Sequence, residues 1–311
     1  MSKALVIIKS MGIGDLVILI ANIHAISKSI NKPVVVMAQK NTHASEILKY
    51  DPHIEEVIDL DRSGILRIVK KIKHKNFDQS YIYSDSLRLY LITKFAGIDK
   101  NFQYKLFSKK RKNFYKTAKE FTEKVLDTKI LSESKIFLNK NEIVEAVKKF
   151  DISNKTKNIV CGISASGPTK RWDIKNYIKL FETISKKYPC KFFLAGGLKD
   201  QLLISEILNS TIGKYCMSFE KMSIKETMPI IGACDICISN DTGFAHIASA
   251  LGLRSLVLFM DSPPLAYGSY SKNISIVVPE GETTESCGHN TRGKDKIPFD
   301  EVLDKALEFL N

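Results

Sequence analysis

A chain of 311 residues with 44% hydrophobic and 9% aromatic content has room for two ordinary domains with separate cores, and it is not disordered in composition. No apolar run approaches the roughly 18 residues needed to span a bilayer, and "MSKALVIIKS" carries no signal-peptide cleavage pattern, so a cytoplasmic protein is expected. The net charge of +13 suits either a lysine-rich solvated surface or an anionic partner, but no zinc module or ribonucleoprotein motif accompanies it, so nucleic acid is not expected.

Taken in chain order, "ALVIIKS" (4–10) reads as a buried strand and "DLVILIANIHAISKSI" (15–30) as a helix. Strands follow at "PVVVMAQ" (33–39), "EVIDLD" (56–61) and "QSYIYS" (79–84). Between and after them, "HASEILKY" (43–50), "ILRIVKKIKH" (65–74) and "LRLYLITKFAG" (87–97) read as helices. Such alternation predicts a parallel sheet covered on both faces. Residues 98–157 break the rhythm; they are lysine-rich and contain one helix-like stretch, "KNEIVEAVKKF" (140–150), before a polar linker candidate, "DISNKTKN" (151–158). The densest basic stretches, 67–75 and 105–119, could face a membrane or a glycan.

The alternation then restarts. "IVCGIS" (159–164), "KFFLAG" (191–196), "YCMSF" (215–219), "ICIS" (236–239) and "SLVLF" (255–259) read as strands, with helices at 176–188, 200–209, 224–233 and 244–251 and an amphipathic terminal helix at 299–311. The fold class expected is α/β, with two doubly wound, Rossmann-like domains facing a central cleft and ligands at the C-terminal ends of the strands. The domains are placed at 1–155 and 156–311, and the terminal helix is left free to return to the N-terminal one. The six cysteines lie mostly in apolar runs. Cys234 and Cys237 have C-x-x-C spacing without a second pair, and Cys287 with His289 makes half a site, so structural thiols and no metal are expected.

Three loops carry the candidate chemistry. In "SMGIGDLV" (10–17), Gly12 and Gly14 place backbone N–H groups at a helix start, but Val17 stands where a dinucleotide fingerprint needs its third glycine. Asp15 either complements the helix dipole or serves as a carboxylate base. In "SASGPTKRWDIKNY" (164–177), Ser164, Ser166 and Thr169 offer hydroxyls, while Lys170 and Arg171 put cations ahead of a helix, where the dipole disfavours them. That unfavourable choice points to a phosphate; Trp172 reads as a packing anchor. In "ISNDTGFAH" (238–246), one Asp-Thr-Gly triplet in an α/β setting excludes an aspartic protease, whose chemistry needs two carboxylates sharing a proton. There Asp241 or Thr242 is expected to cap a helix, Gly243 to permit close approach, and His246 to lie one turn in.

These residues, with "KMSIKETMPIIGACDICISNDTGFAHIASALG" (221–252) and "GSYSKN" (268–273), resemble the lipopolysaccharide heptosyltransferases, glycosyltransferase family 9. The resemblance implies a GT-B fold, an N-terminal acceptor-binding domain and a C-terminal donor-binding domain, with inverting transfer of heptose from ADP-heptose and no cofactor or metal. By the same resemblance Asp15 is the catalytic base, with Gly12 and Gly14 beside the acceptor. Lys170 is the cation on the departing diphosphate; Ser166, Thr169, Asp241, Thr242, Gly243 and His246 line the donor, and Met222 meets its adenine. The partners implied are a nucleotide-sugar donor, an anionic glycolipid or glycan acceptor, and a peripheral seat at the inner face of the inner membrane. Departures are Met260-Asp261-Ser262-Pro263-Pro264 in place of a Gly-x-Thr-x-Pro loop, Phe244, Ala21, the tail "ESCGHNTRGKDK", and Asp200 as the donor-side acid. Two other readings stay open. One is a GT-B enzyme using another nucleotide sugar, or a sugar-nucleotide epimerase; the other is a non-catalytic subunit that binds a glycan or a nucleotide sugar.

Overall fold

The computed structural model describes residues 3–10, 12–61, 64–105 and 113–311. They form two compact units, residues 1–137 and 138–311.

The first unit is built on a five-stranded parallel sheet of order β3-β2-β1-β4-β5, from β1 (Ala4–Ile8), β2 (Val34–Ala38), β3 (Ile54–Asp59), β4 (Gln79–Tyr83) and β5 (Lys100–Gln103). Leu5 pairs with Val35 and Ile7 with Ile82, so the central strands are buried on both faces and read as unbroken apolar runs. Helix α1 (Ile13–Ser29) follows β1, and the short α2 (Ala44–Ile47) replaces the longer helix expected over 43–50. α3 (Ile65–Lys73) and α4 (Leu87–Phe95) pack side by side on the sheet face made by Leu5, Ile7, Val35, Met37 and Ile82. α5 (Phe114–Leu126) packs on α1, and its Thr122 hydroxyl bonds the Tyr83 hydroxyl at 2.6 Å. β5 and α5 fall in the stretch where the sequence shows no rhythm. Residues 106–112 of the basic stretch 105–119 lie outside the described residues.

The second unit holds a six-stranded parallel sheet, β11-β10-β9-β6-β7-β8. Its strands are β6 (Lys157–Gly162), β7 (Cys190–Ala195), β8 (Cys216–Ser218), β9 (Ile236–Asn240), β10 (Arg254–Leu258) and β11 (Ile274–Val277). Its helices are α6 (Lys140–Lys149), α7 (Ile174–Ser185), α8 (Gln201–Leu208), α9 (Ile224–Gly232), α10 (Gly243–Ala250), α11 (Pro264–Tyr267) and α12 (Phe299–Leu310). α6 packs against α9, which draws it into this unit and puts the division at 137/138 rather than 155/156. α12 packs on α7, β9 and β10 of the same unit. Trp172 is fully buried between Tyr177 and Phe299, the packing anchor expected. Among the described residues no helix is long and apolar enough to cross a membrane.

Candidate functional site

In both sheets the strand order reverses beside the first strand, between β1 and β4 and between β6 and β9. Loops leaving adjacent strands diverge at such a switch point, and the crevice they open is where doubly wound sheets bind ligands. In the second unit the loop after β6 carries Ser164 to Arg171 and the turn after β9 carries Asp241 to Gly243. The fold thus brings two of the candidate loops together, with Thr169, Lys170, Asp241, Thr242, Gly243 and His246 among their residues.

What fixes the two loops is a residue the sequence reading passed over. Asn240, fully buried at the end of β9, donates from Nδ2 to the carbonyls of Ile163 and Ser164 at 3.0 and 3.2 Å. Its Oδ1 accepts from the Trp172 backbone N–H at 3.1 Å and the Tyr177 hydroxyl at 3.2 Å. A buried amide using donor and acceptor ends together ties one loop to the other strand, because leaving any of these groups unmade would cost its desolvation. The only signal in the sequence was a polar residue closing an apolar strand. Next to it, Gly162 has no room for a side chain: a Cβ would stand 1.9 Å from Ser239 Oγ.

Thr242 occupies the N-cap position of α10 but makes no side-chain cap, and neither does Asp241. This corrects the capping expected of the triplet. The Asp241 carboxylate instead accepts from the Ser262 hydroxyl at 2.5 Å and lies 3.6 Å from His246 Nε2. His246 is buried, its Nδ1 3.1 Å from the Tyr270 hydroxyl. Burial alone would push the Asp241 carboxyl up. The imidazole, the Ser262 hydroxyl and the Lys170 charge outweigh it and hold the group below the usual carboxylate range. With both side chains turned elsewhere, the Ala245 and His246 N–H groups return to the Thr242 carbonyl, and among the described residues the N–H groups of Gly243 and Phe244 meet no protein cap.

Lys170 ends a short 3-10 turn, Pro168–Lys170, and is half-buried. The Thr169 hydroxyl donates to Asp261 Oδ2 at 2.6 Å, and the Arg292 backbone N–H to Oδ1 at 3.0 Å. Burial again works against ionisation of Asp261, and these donors with the charge of Lys170 overcome it. The departure at Asp261 therefore has a structural use, as a latch from the Lys170 loop to the C-terminal tail. Arg171 points elsewhere, its Nη2 3.8 Å from Asp200, whose carboxylate also accepts from the Gly197 N–H at 3.0 Å. Ser166 is exposed on the same loop. Met222 lines a different cavity, of about 220 Å³, with Glu142, Lys149 and Pro229; neither Lys170 nor the 241–243 turn borders it.

In the first unit Gly12 is the N-cap of α1, Gly14 lies in its first turn, and Asp15 is its third residue. The Gly12 N–H donates to Asp15 Oδ2 at 3.4 Å, so the carboxylate sits where the helix dipole favours an anion. Among the described residues no group of three or more His, Cys, Asp or Glu side chains is placed to hold a metal ion. Cys287 is buried against Ala245, Val257 and Phe259 instead of standing in an open loop with His289. Burial pushes the Cys237 thiol up to about 12, which suits a structural thiol.

Comparison with known proteins supplies the family. The chain is 29% identical over 158 residues to the lipooligosaccharide heptosyltransferase 2 of Haemophilus influenzae, an alignment covering 49% of this chain and 45% of that one. It thus spans about half the length of that curated relative. The solved structure of Escherichia coli ADP-heptose lps heptosyltransferase II superposes with a TM-score of 0.81 at 19% identity, over 99% of this chain and 98% of that one. The glycosyl transferase family 9 protein of Veillonella parvula does so at 0.85 and 17%, over 99% and 97%. The α/β fold is that of the GT-B heptosyltransferase structures, as expected. A family model described as glycosyltransferase family 9 (heptosyltransferase) matches residues 65–297, most of the chain, and the chain belongs to that family.

Proposed function

We propose that the chain is an inverting glycosyltransferase that moves a heptose from ADP-heptose onto a lipopolysaccharide or lipooligosaccharide core. The observation that carries this reading is the uncapped N-terminus of α10, set at the β6/β9 switch point beside Lys170. A sugar diphosphate leaving the anomeric carbon gains negative charge. Helix N–H groups and a nearby ammonium stabilise that charge without rearranging, because they are already in place. Asp241 contributes by position: Ser262 and His246 take up its carboxylate, so the turn meets the donor with N–H groups.

In this reading Asp15 accepts the proton of the acceptor hydroxyl as its oxygen attacks the anomeric carbon, and ADP departs with the bonding electron pair. Gly12 and Gly14 hold the loop that presents Asp15, while Ser166 and Thr169 line the donor side. The second unit binds donor and the first binds acceptor. Met222 is the donor contact least supported by geometry, since the cavity it lines is separate from the Lys170 site.

The test is a thermal-shift panel of ADP-heptose, UDP-, GDP- and other ADP-sugars on the full chain. ADP-heptose should raise the midpoint by several degrees at saturating concentration, as any ligand selective for the native state does, and the pyrimidine-nucleotide sugars should not. A shift by UDP-sugars alone would contradict the donor assignment.

A further inference from the structure

Three loops leave neighbouring strands of the second sheet, after β6, β9 and β10, and two adjacent residues of the last one tie all three together. This β10 loop, Met260 to Pro264, is where the chain departs from a Gly-x-Thr-x-Pro pattern. Its Ser262 hydroxyl donates to Asp241 in the middle turn. Asp261 reaches further. β9 lies between β10 and β6, so the bond from the Thr169 hydroxyl to Asp261 joins loops two strand spacings apart, about 10 Å. The other carboxylate oxygen accepts from the Arg292 backbone N–H. The tail is fixed again on either side of that contact: the Gly293 N–H donates to the Met260 carbonyl at 2.9 Å, and Cys287 Sγ lies 3.3 Å from the Phe259 carbonyl.

Lys170 stands inside this frame without a partner of its own. Its charge acts on Asp241 and Asp261, yet among the described residues no carboxylate forms an ion pair with it. An ammonium on a flexible four-carbon stem has many rotamers, so the backbone that carries it decides where it meets a ligand. That backbone is pinned on one side at Trp172, by Asn240, and on the other at Thr169, by Asp261. We infer that Asp261 is a positioning residue for the transfer, a reading that rests on the donor assignment proposed for this unit. By holding Thr169 and the tail backbone together it fixes where Lys170 meets the departing diphosphate. The Thr169 hydroxyl proton is spent on the carboxylate, so Thr169 shapes the turn and donates nothing to a phosphate oxygen. A charge preorganised for the transition state loses much of its effect when it is displaced by about an ångström.

The experiment measures ADP affinity by titration calorimetry, with kcat and donor KM for ADP-heptose, on the full chain. The variants are Asp261→Ala, Asp261→Asn, Lys170→Ala, and Asp261→Ala combined with Lys170→Ala. Thr169→Val removes the same bond from its other end and carries the test should Asp261→Ala fold poorly. Asp261→Ala and Thr169→Val should each weaken ADP binding and lower kcat about tenfold. Asp261→Asn keeps the shape and can still bond both Thr169 and the Arg292 N–H, so it should change each by less than about threefold. In the Lys170→Ala chain, Asp261→Ala should add less than about twofold, because a residue acting through Lys170 has nothing left to position. A simple structural brace would show the same loss with and without Lys170. That result would overturn the inference, as would intact ADP binding in Asp261→Ala where Lys170→Ala weakens it; both leave the donor assignment standing. A loss in Asp261→Asn equal to that in Asp261→Ala would also overturn it, by making the charge and not the latch the active feature. If Lys170→Ala changes neither binding nor turnover, the donor assignment itself falls, and the role of Asp261 with it.

Discussion

Asp241 shows how far a residue can be read from its neighbours in the chain. The letters Asp-Thr-Gly and the flanking strand and helix were enough to discard a protease and to place the turn at a ligand-binding edge. They were not enough to say where the carboxylate goes, because Ser262 lies 21 residues downstream, and His246, though in the same segment, is held by Tyr270, 24 residues further on. Asn240 was invisible for the same reason: its four partners lie 63 to 77 residues away in sequence. The electrostatics at Asp241 give a test. Its folded-state pKa lies below the ordinary 3.8, so its ionised form stabilises the fold above about pH 4, and that contribution is lost as pH falls through the folded value. Asp241→Asn should therefore destabilise the chain by about 1–3 kcal/mol at neutral pH and flatten the acid limb of a stability–pH curve measured by urea unfolding. An unchanged acid limb would show that the carboxylate is not held as described.

At the scale of elements, the central strands were legible because parallel strands buried on both faces are continuous apolar runs. β5 was not, since KNFQ at a sheet edge carries one apolar residue, and its place in the sheet comes from pairing with β4. α6 was legible as a helix but not as part of the second unit, because the partner that assigns it, α9, is some eighty residues downstream. The approach of β6 to β9 depends on one position. A Cβ at Gly162 would lie 1.9 Å from Ser239 Oγ and 2.8 Å from Ser239 Cβ, distances no native packing tolerates. Gly162→Ala should cost about 2 kcal/mol in denaturant unfolding, and Ser239→Gly in the same chain should restore most of it. Full stability of Gly162→Ala alone would mean that the strands stand further apart.

For the molecule as a whole, two α/β units were expected and two are present, and the family followed from the loop motifs together with the stretch 221–252, which spans α9, β9 and α10. The boundary between the units was not readable, since a polar stretch such as 151–158 marks a turn as readily as a linker. The division of labour proposed here makes the first unit responsible for the proton and the second for the diphosphate. Separate substitutions should then separate the two tasks. The most direct measurement is turnover and donor affinity of Asp15→Asn with ADP-heptose and a lipopolysaccharide-core acceptor. A general base in place contributes roughly 10²–10⁴-fold, so turnover should fall by that factor while donor affinity stays within about twofold of the parent. Lys170→Ala should instead weaken both. Normal turnover by Asp15→Asn would contradict the account at its centre.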